Sequence, residues 1–71
     1  MEDFKREYNK YLSRFYKGEK WVDAPERTEK EVDKGIKLLQ EIIRVLSVKM
    51  QQFKEMTGRE MTTEEVLKGF K

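Results

Sequence analysis

Apolar residues recur at alternating spacings of four and three residues through the middle of the chain. These residues, which we call the heptad seam, are Val32, Ile36, Leu39, Ile43, Leu46, Met50 and Phe53. The spacing is that of the a and d positions of a heptad repeat, which share one stripe of an α-helix. Because such a stripe is stabilising only when other helices cover it, the pattern predicts a long helix that packs against helices.

A shorter amphipathic helix is predicted near the start of the chain, over about residues 2 to 17. Its apolar residues recur at helical spacing and are expected in the core: Phe4, Tyr8, Tyr11, Leu12 and Phe15. Acidic residues come early in this segment and basic residues come late, which complements the helix dipole. Gly18 is expected to follow the last residue of the helix, where glycine is the commonest residue.

The segment from Gly18 to Pro25 is expected to connect the first two helices, because proline is not tolerated in a helix interior. Two starts for the central helix have the spacing of a capping box, with a capping side chain three residues before a glutamate. They are Asp23 with Glu26 and Thr28 with Glu31.

The central helix is predicted to continue to Met56, where Thr57 and Gly58 supply a stop signal. It is then roughly 30 residues and about 45 Å long. Gly35 either allows another helix to approach closely or marks a break after Lys34, and we expect an unbroken helix.

A short third helix is predicted after Gly58. Thr62 and Glu65 have capping-box spacing, and Met61 and Val66 have the spacing of a hydrophobic staple. About two turns fit before the final residues, with a small apolar face. That face is formed by Val66, Leu67 and Phe70.

The predicted fold class is therefore all-α, a helical hairpin with a long central helix and a short C-terminal helix, forming one domain over residues 1–71. Leu38, Ile42 and Val45 widen the apolar surface of the central helix to about half its circumference. A first helix of about 24 Å covers only about half of the central helix. The heptad seam is therefore expected to form a homodimer, with a monomeric three-helix domain as the alternative and the helix direction left open.

Composition supports association as the source of additional stability. The chain has 71 residues with no Cys and no His, so disulfides and the usual zinc sites are excluded. Near this size a single core barely offsets the conformational entropy of folding. Oligomerisation is the remaining supplement.

Enzymatic activity is not expected. There is no His or Cys to serve as a general base or nucleophile, and Ser13 and Ser47 lack a local context that would activate them. The carboxylates lie at helix starts and on solvated faces. We expect no cofactor, no metal and no small-molecule substrate.

A basic stripe on the first helix is a candidate nucleic-acid site. It consists of Arg6, Lys10, Arg14 and Lys17. Asp3 and Glu7 lie on or near it, and the net charge of the chain is only +2. An accessory nucleic-acid-binding protein is thus the alternative function.

Two aromatic residues and one valine outside the main apolar stripe are candidate contacts for another protein. They are Tyr16, Trp21 and Val22. The first residues lack the basic and apolar regions of a signal peptide, and no apolar run is long enough to span a membrane. The expected function is a small cytoplasmic adaptor or regulator that binds a protein partner of unknown identity and self-associates through the heptad seam.

Overall fold

A computed structural model describes residues 1–70, and these residues form helices without any strand. The helices are α1 (Glu2–Val22), α2 (Glu29–Thr57) and α3 (Thr63–Lys68). The long helices α1 and α2 pack against each other, which confirms the predicted all-α hairpin with a short third helix.

The two long helices run antiparallel, as their contacts show from one end to the other. The contacts are Phe4 with Phe53, Glu7 with Lys49, Gly18 with Leu39 and Val22 with Gly35. Each step forward along α1 matches a similar step back along α2. The first helix therefore lies beside α2 along its whole length, from Phe53 of α2 back to Gly35.

Gly18 does not end α1, so the prediction that the helix stops there is wrong. The helix continues to Val22, and Asp23 is its right-handed C-cap. Gly18 instead faces α2, where the Cδ2 of Leu39 is 2.9 Å from the position that a Cβ on Gly18 would occupy. The continued helix is about 32 Å long and covers more of α2 than the predicted length of about 24 Å.

The start of α2 is at the second of the two predicted capping boxes. The hydroxyl of Thr28 accepts a hydrogen bond from the Glu31 N–H at 3.2 Å, and the Glu31 carboxylate accepts one from the Thr28 N–H at 3.2 Å. The alternative start at Asp23 is wrong, because that residue ends α1. As predicted, α2 passes through Gly35 without a break.

The end of α2 and the start of α3 also follow their local signals. Gly58 caps α2 in the left-handed conformation with φ of 78°, which glycine adopts without steric cost. Thr62 and Glu65 form the predicted capping box at the start of α3. Gly69 follows α3 with φ of 82°.

The core lies between α1 and α2 at the end of the hairpin where α3 docks. Its buried residues are Phe4, Tyr8, Leu12, Leu46 and Phe53. Partly buried side chains pack around them, namely Tyr11, Phe15, Ile42, Met50, Met61 and Phe70. The predicted core positions of α1 are thus at or beside the core. Among residues 1–70, no helix combines the length and the apolar character needed to cross a bilayer.

Candidate interaction surfaces

The heptad seam is divided by the fold into buried and exposed residues. Leu46 and Phe53 are only 6% and 2% exposed, because they pack inside the chain's own core. In contrast, Ile36 and Ile43 are 41% and 47% exposed. The remaining members, Val32, Leu39 and Met50, are half-buried. The surface that a partner could reach is therefore only part of the seam.

The rotation of α2 against α1 explains this division. At about 100° per residue, Ile36 and Ile43 lie about 60° to 80° around the helix from Leu46. The facing helix α1 meets α2 on the other side of Leu46, at Gly35 and Lys49. Consequently α1 leaves Ile36 and Ile43 at the edge of the hairpin.

The exposed part of the seam continues into an uncharged strip. Gln40 and Ser47 lie beside Ile36 and Ile43, and the four residues fall within about 60° of helix circumference. We call them the Ile36–Ser47 strip. Charged residues make up 42% of the chain, so an uncharged strip of about three turns on an exposed helix face is a local exception.

A groove on the opposite side of α2 contains Trp21. This Trp21 groove has a volume of about 440 Å³ and is lined by Arg14, Gly18, Trp21, Gly35, Leu38, Leu39, Glu41 and Ile42. Trp21 is 37% exposed, and the Arg27 guanidinium lies 4.3 Å from the centroid of its ring. Leu38 is the most exposed apolar residue of the groove, at 65%.

The three candidate partner contacts predicted from sequence do not form one surface. Trp21 lies in the groove, whereas Val22 is half-buried against Gly35. Tyr16 lies on the α3 side of the hairpin, and its hydroxyl donates a hydrogen bond to the Leu67 carbonyl at 2.5 Å. All three thus have structural contacts within the chain, since the Trp21 ring also lies against Gly35 and Arg27.

Three side chains of α1 hold α3 in place, and sequence reasoning missed this role. Tyr8 donates to the Val66 carbonyl at 2.9 Å, and Tyr16 donates to Leu67. The side chain of Asn9 both donates to the Phe70 carbonyl and accepts from the Phe70 N–H at 2.7 Å. We call Tyr8, Asn9 and Tyr16 the α3 clasp. The last carbonyls of a helix lack intrahelical hydrogen-bond donors, and the hydroxyls of Tyr8 and Tyr16 supply two such donors here.

Phe70 completes the core from beyond the end of α3. Its ring centroid lies 6.1 Å from that of Phe4, 5.6 Å from that of Tyr8 and 5.7 Å from that of Phe53. Gly69 makes this placement compatible with the clasp, because a Cβ there would collide with the Asn9 side chain. The only sequence signal for the clasp is an asparagine inside a predicted helix, where its side chain is normally unfavourable.

The four residues of the predicted basic stripe differ in their local contacts. Arg6 pairs with Asp3 at 3.8 Å, and the Arg14 guanidinium lies 5.5 Å from the Tyr11 ring beside the Trp21 groove. Lys10 and Lys17 are exposed. The four residues nevertheless share one face of the continuous helix α1, within about 80° of its circumference.

The shifted pKa values belong to groups with evident structural contacts. Arg59 contacts Glu65 at 3.0 and 3.2 Å, and together with the Thr62 N–H it lowers the pKa of Glu65 to about 2. The Lys49 ammonium, 2.6 Å away, holds the pKa of Glu7 below its usual value. Burial raises the pKa of Tyr8. Each group serves a helix cap, an ion pair or the core, so none of these shifts points to catalysis.

Comparison of the chain with protein-family models, with curated proteins and with solved structures gives no match.

Proposed function

We propose that this protein is a small helical interaction module that self-associates through the Ile36–Ser47 strip of α2. The observation that carries the proposal is the exposure of Ile36 and Ile43 after the chain has formed its own core. Burying apolar surface contributes about 25 cal/mol for each Å² removed from water. A second copy would cover both isoleucines at once, since they lie one heptad apart on the same face.

An antiparallel pairing of the two copies fits this surface best. A two-fold axis near Gln40 places Ile36 of one copy against Ile43 of the other, and the reverse contact follows by symmetry. The uncharged residues of the strip leave no buried charge without a partner. In this arrangement the two α3 helices lie at opposite ends of the interface, whereas a parallel pairing places them side by side.

The rest of the surface remains available in such a dimer. The Trp21 groove opens on the other side of α2 and is not covered by pairing through the strip. A dimer with an open groove on each copy is consistent with an adaptor or regulator in the cytoplasm that contacts other proteins.

The first test is the mass in solution, measured by light scattering coupled to size-exclusion chromatography over a dilution series. We expect twice the chain mass of 8.6 kDa, with dissociation only on strong dilution. A mass of one chain at the highest concentration would contradict the proposal.

Two matched substitutions locate the interface. Ile43→Asp places a charge on the strip, and Leu38→Asp places the same charge at an exposed position of the groove. We expect Ile43→Asp to give a folded monomer and Leu38→Asp to remain dimeric. A dimeric Ile43→Asp protein and a monomeric Leu38→Asp protein would place the interface at the groove and contradict self-association through the strip. Leu46→Asp is the folding control, because a charge at this buried core position should unfold the chain.

A further inference from the structure

A second cavity lies where the outer side of α1 meets the end of α3. It has a volume of about 310 Å³ and is lined by Asn9, Leu12, Ser13, Tyr16, Lys17, Lys20 and Lys68. We call it the lysine cavity. The fold brings Lys68 of α3 to Lys17 and Lys20 of α1, a juxtaposition that the basic stripe predicted from α1 alone did not contain.

The charged side chains that line the lysine cavity are all lysines, although Lys68 also lines a second pocket with Glu64 and Glu65. No carboxylate lines it, and within residues 1–70 none of its lysines forms an ion pair. The chain as a whole has 14 acidic residues, yet residues 8–18 of α1 contain none. The local excess of positive charge is thus much greater than the net charge of +2 suggests.

The acidic residues that weakened the basic stripe in the sequence lie away from this cavity. Glu7 contacts Lys49 of α2 at 2.6 Å, on the side of α1 opposite α3. Asp3 pairs with Arg6 near the start of α1. Lys10 lies two turns before Lys17 on the same side of α1 and about 15 Å along the axis from Lys20, although its charge also acts on Glu7.

Helix dipoles account for only part of this charge. Lys20 and Lys68 lie in the last turns of their helices, where cations stabilise the negative end of the dipole. That explanation does not extend to Lys10, which lies in the middle of α1, or to the arrangement of three lysines around one cavity. The partly exposed ring of Tyr16 in the cavity wall adds a stacking surface.

We propose that the lysine cavity and Lys10 bind the phosphate backbone of single-stranded nucleic acid. Lysines that contact phosphates combined with an exposed aromatic ring are the elements of sequence-tolerant single-strand binding. Nothing in the cavity resembles the paired side chains that read base edges in a duplex groove. This binding is independent of self-association, since it uses the outer side of α1 rather than the Ile36–Ser47 strip.

The test is fluorescence anisotropy with a labelled single-stranded oligonucleotide of mixed sequence, titrated at several salt concentrations. The variant replaces Lys17, Lys20 and Lys68 by Gln. The matched control replaces Lys30, Lys34 and Lys37 by Gln, which are exposed lysines of α2 and give the same change in net charge. Unchanged helical circular dichroism in both variants ensures that folded proteins are compared.

We expect wild type to bind at low salt and to weaken steeply as salt rises. The cavity variant should bind at least about tenfold more weakly, and its slope of log affinity against log salt should fall by about 2, since each lost phosphate contact removes about 0.7. The α2 control should stay within about twofold of wild type.

Three results would overturn the proposal. The first is no binding by wild type at low salt, and the second is an equal loss in both triple variants, which would indicate diffuse charge. The third is binding to anionic phospholipid vesicles without binding to the oligonucleotide, which would assign the cavity to a membrane surface instead.

Discussion

The indole ring of Trp21 lies against Gly35 of the facing helix, with two ring carbons 3.1 and 3.3 Å from the position of a Cβ on Gly35. A Cβ at this position would also collide with the side chain of Val22. The absence of a side chain at Gly35 therefore allows the last turn of α1 to pack on α2. This contact also explains why α1 continues past Gly18.

Gly35→Ala should destabilise the protein although alanine favours helix. The helical propensity gain is about 1 kcal/mol, whereas forcing a methyl group into a packed contact typically costs about 1–3 kcal/mol. We expect a net loss of about 1 kcal/mol in the free energy of unfolding, measured by urea denaturation.

Gly18→Ala is the matched control for this prediction. The added methyl group meets only the end of the Leu39 side chain, which can change its rotamer more easily than the helix can move. We expect a change close to zero. A Gly35→Ala protein as stable as Gly18→Ala would show that Trp21 does not constrain the helix contact.

Removing the Tyr8 hydroxyl should weaken the attachment of α3. Tyr8 is fully buried, so Tyr8→Phe leaves the Val66 carbonyl without its donor at a cost of about 1–2 kcal/mol. For Tyr16→Phe we expect about 0.5 kcal/mol or less, because water can replace a hydroxyl that is exposed. Thermal unfolding followed by circular dichroism measures both losses. Each kcal/mol lost from the free energy of unfolding should lower the melting temperature by about 4–8 °C. Equal shifts in the two variants would argue against the buried role of Tyr8.

Substituting Asn9 should release the segment after α3 while preserving the hairpin. Asn9→Ala removes both hydrogen bonds to the Phe70 backbone, whereas Asn9→Asp keeps an acceptor for the Phe70 N–H. Amide hydrogen exchange should become faster in α3 for Asn9→Ala and less so for Asn9→Asp. Exchange in the middle of α2 should change much less. Uniformly faster exchange would instead show that α3 and the hairpin unfold as one unit.

Acid should destabilise the protein in part through Glu65. Contacts with Arg59 and Thr62 lower its folded pKa to about 2, below an unfolded value of about 4.3. A lowered folded pKa gives stability that is present above pH of about 4.3 and is lost as pH falls toward 2. As pH falls across this range, the melting temperature should therefore decrease less steeply for Glu65→Gln than for wild type. Glu7 and Glu31 shift in the same direction, so some acid dependence should remain.

The ends of α2 and the start of α3 could be predicted because their determinants are local. The capping boxes at Thr28 and Thr62 and the left-handed glycine at Gly58 act within three or four residues of sequence. Such signals do not depend on what the helix packs against. The prediction that α1 ends at Gly18 failed for the opposite reason, since the role of Gly18 is decided by Leu39 on the facing helix.

The surfaces were less predictable than the helices. The heptad seam correctly marks the apolar side of α2, but the rotation of α2 against α1 decides that Leu46 is buried and Ile43 is exposed. The α3 clasp depends on Asn9 and Phe70, which are 61 residues apart. A periodic pattern within one helix contains no information about such a contact.

The separation of Asn9 and Phe70 has a consequence for the order of folding. Closing a loop of this length from an unfolded chain has an entropic cost that rises with the logarithm of its length. Once the α1–α2 hairpin has formed, only residues 58–62 separate α3 from a docking site that is already assembled. We therefore expect the clasp to form after the rate-limiting step, so that its contacts slow unfolding and have little effect on the folding rate. The last helix would then act as a kinetic latch that lengthens the lifetime of the native state.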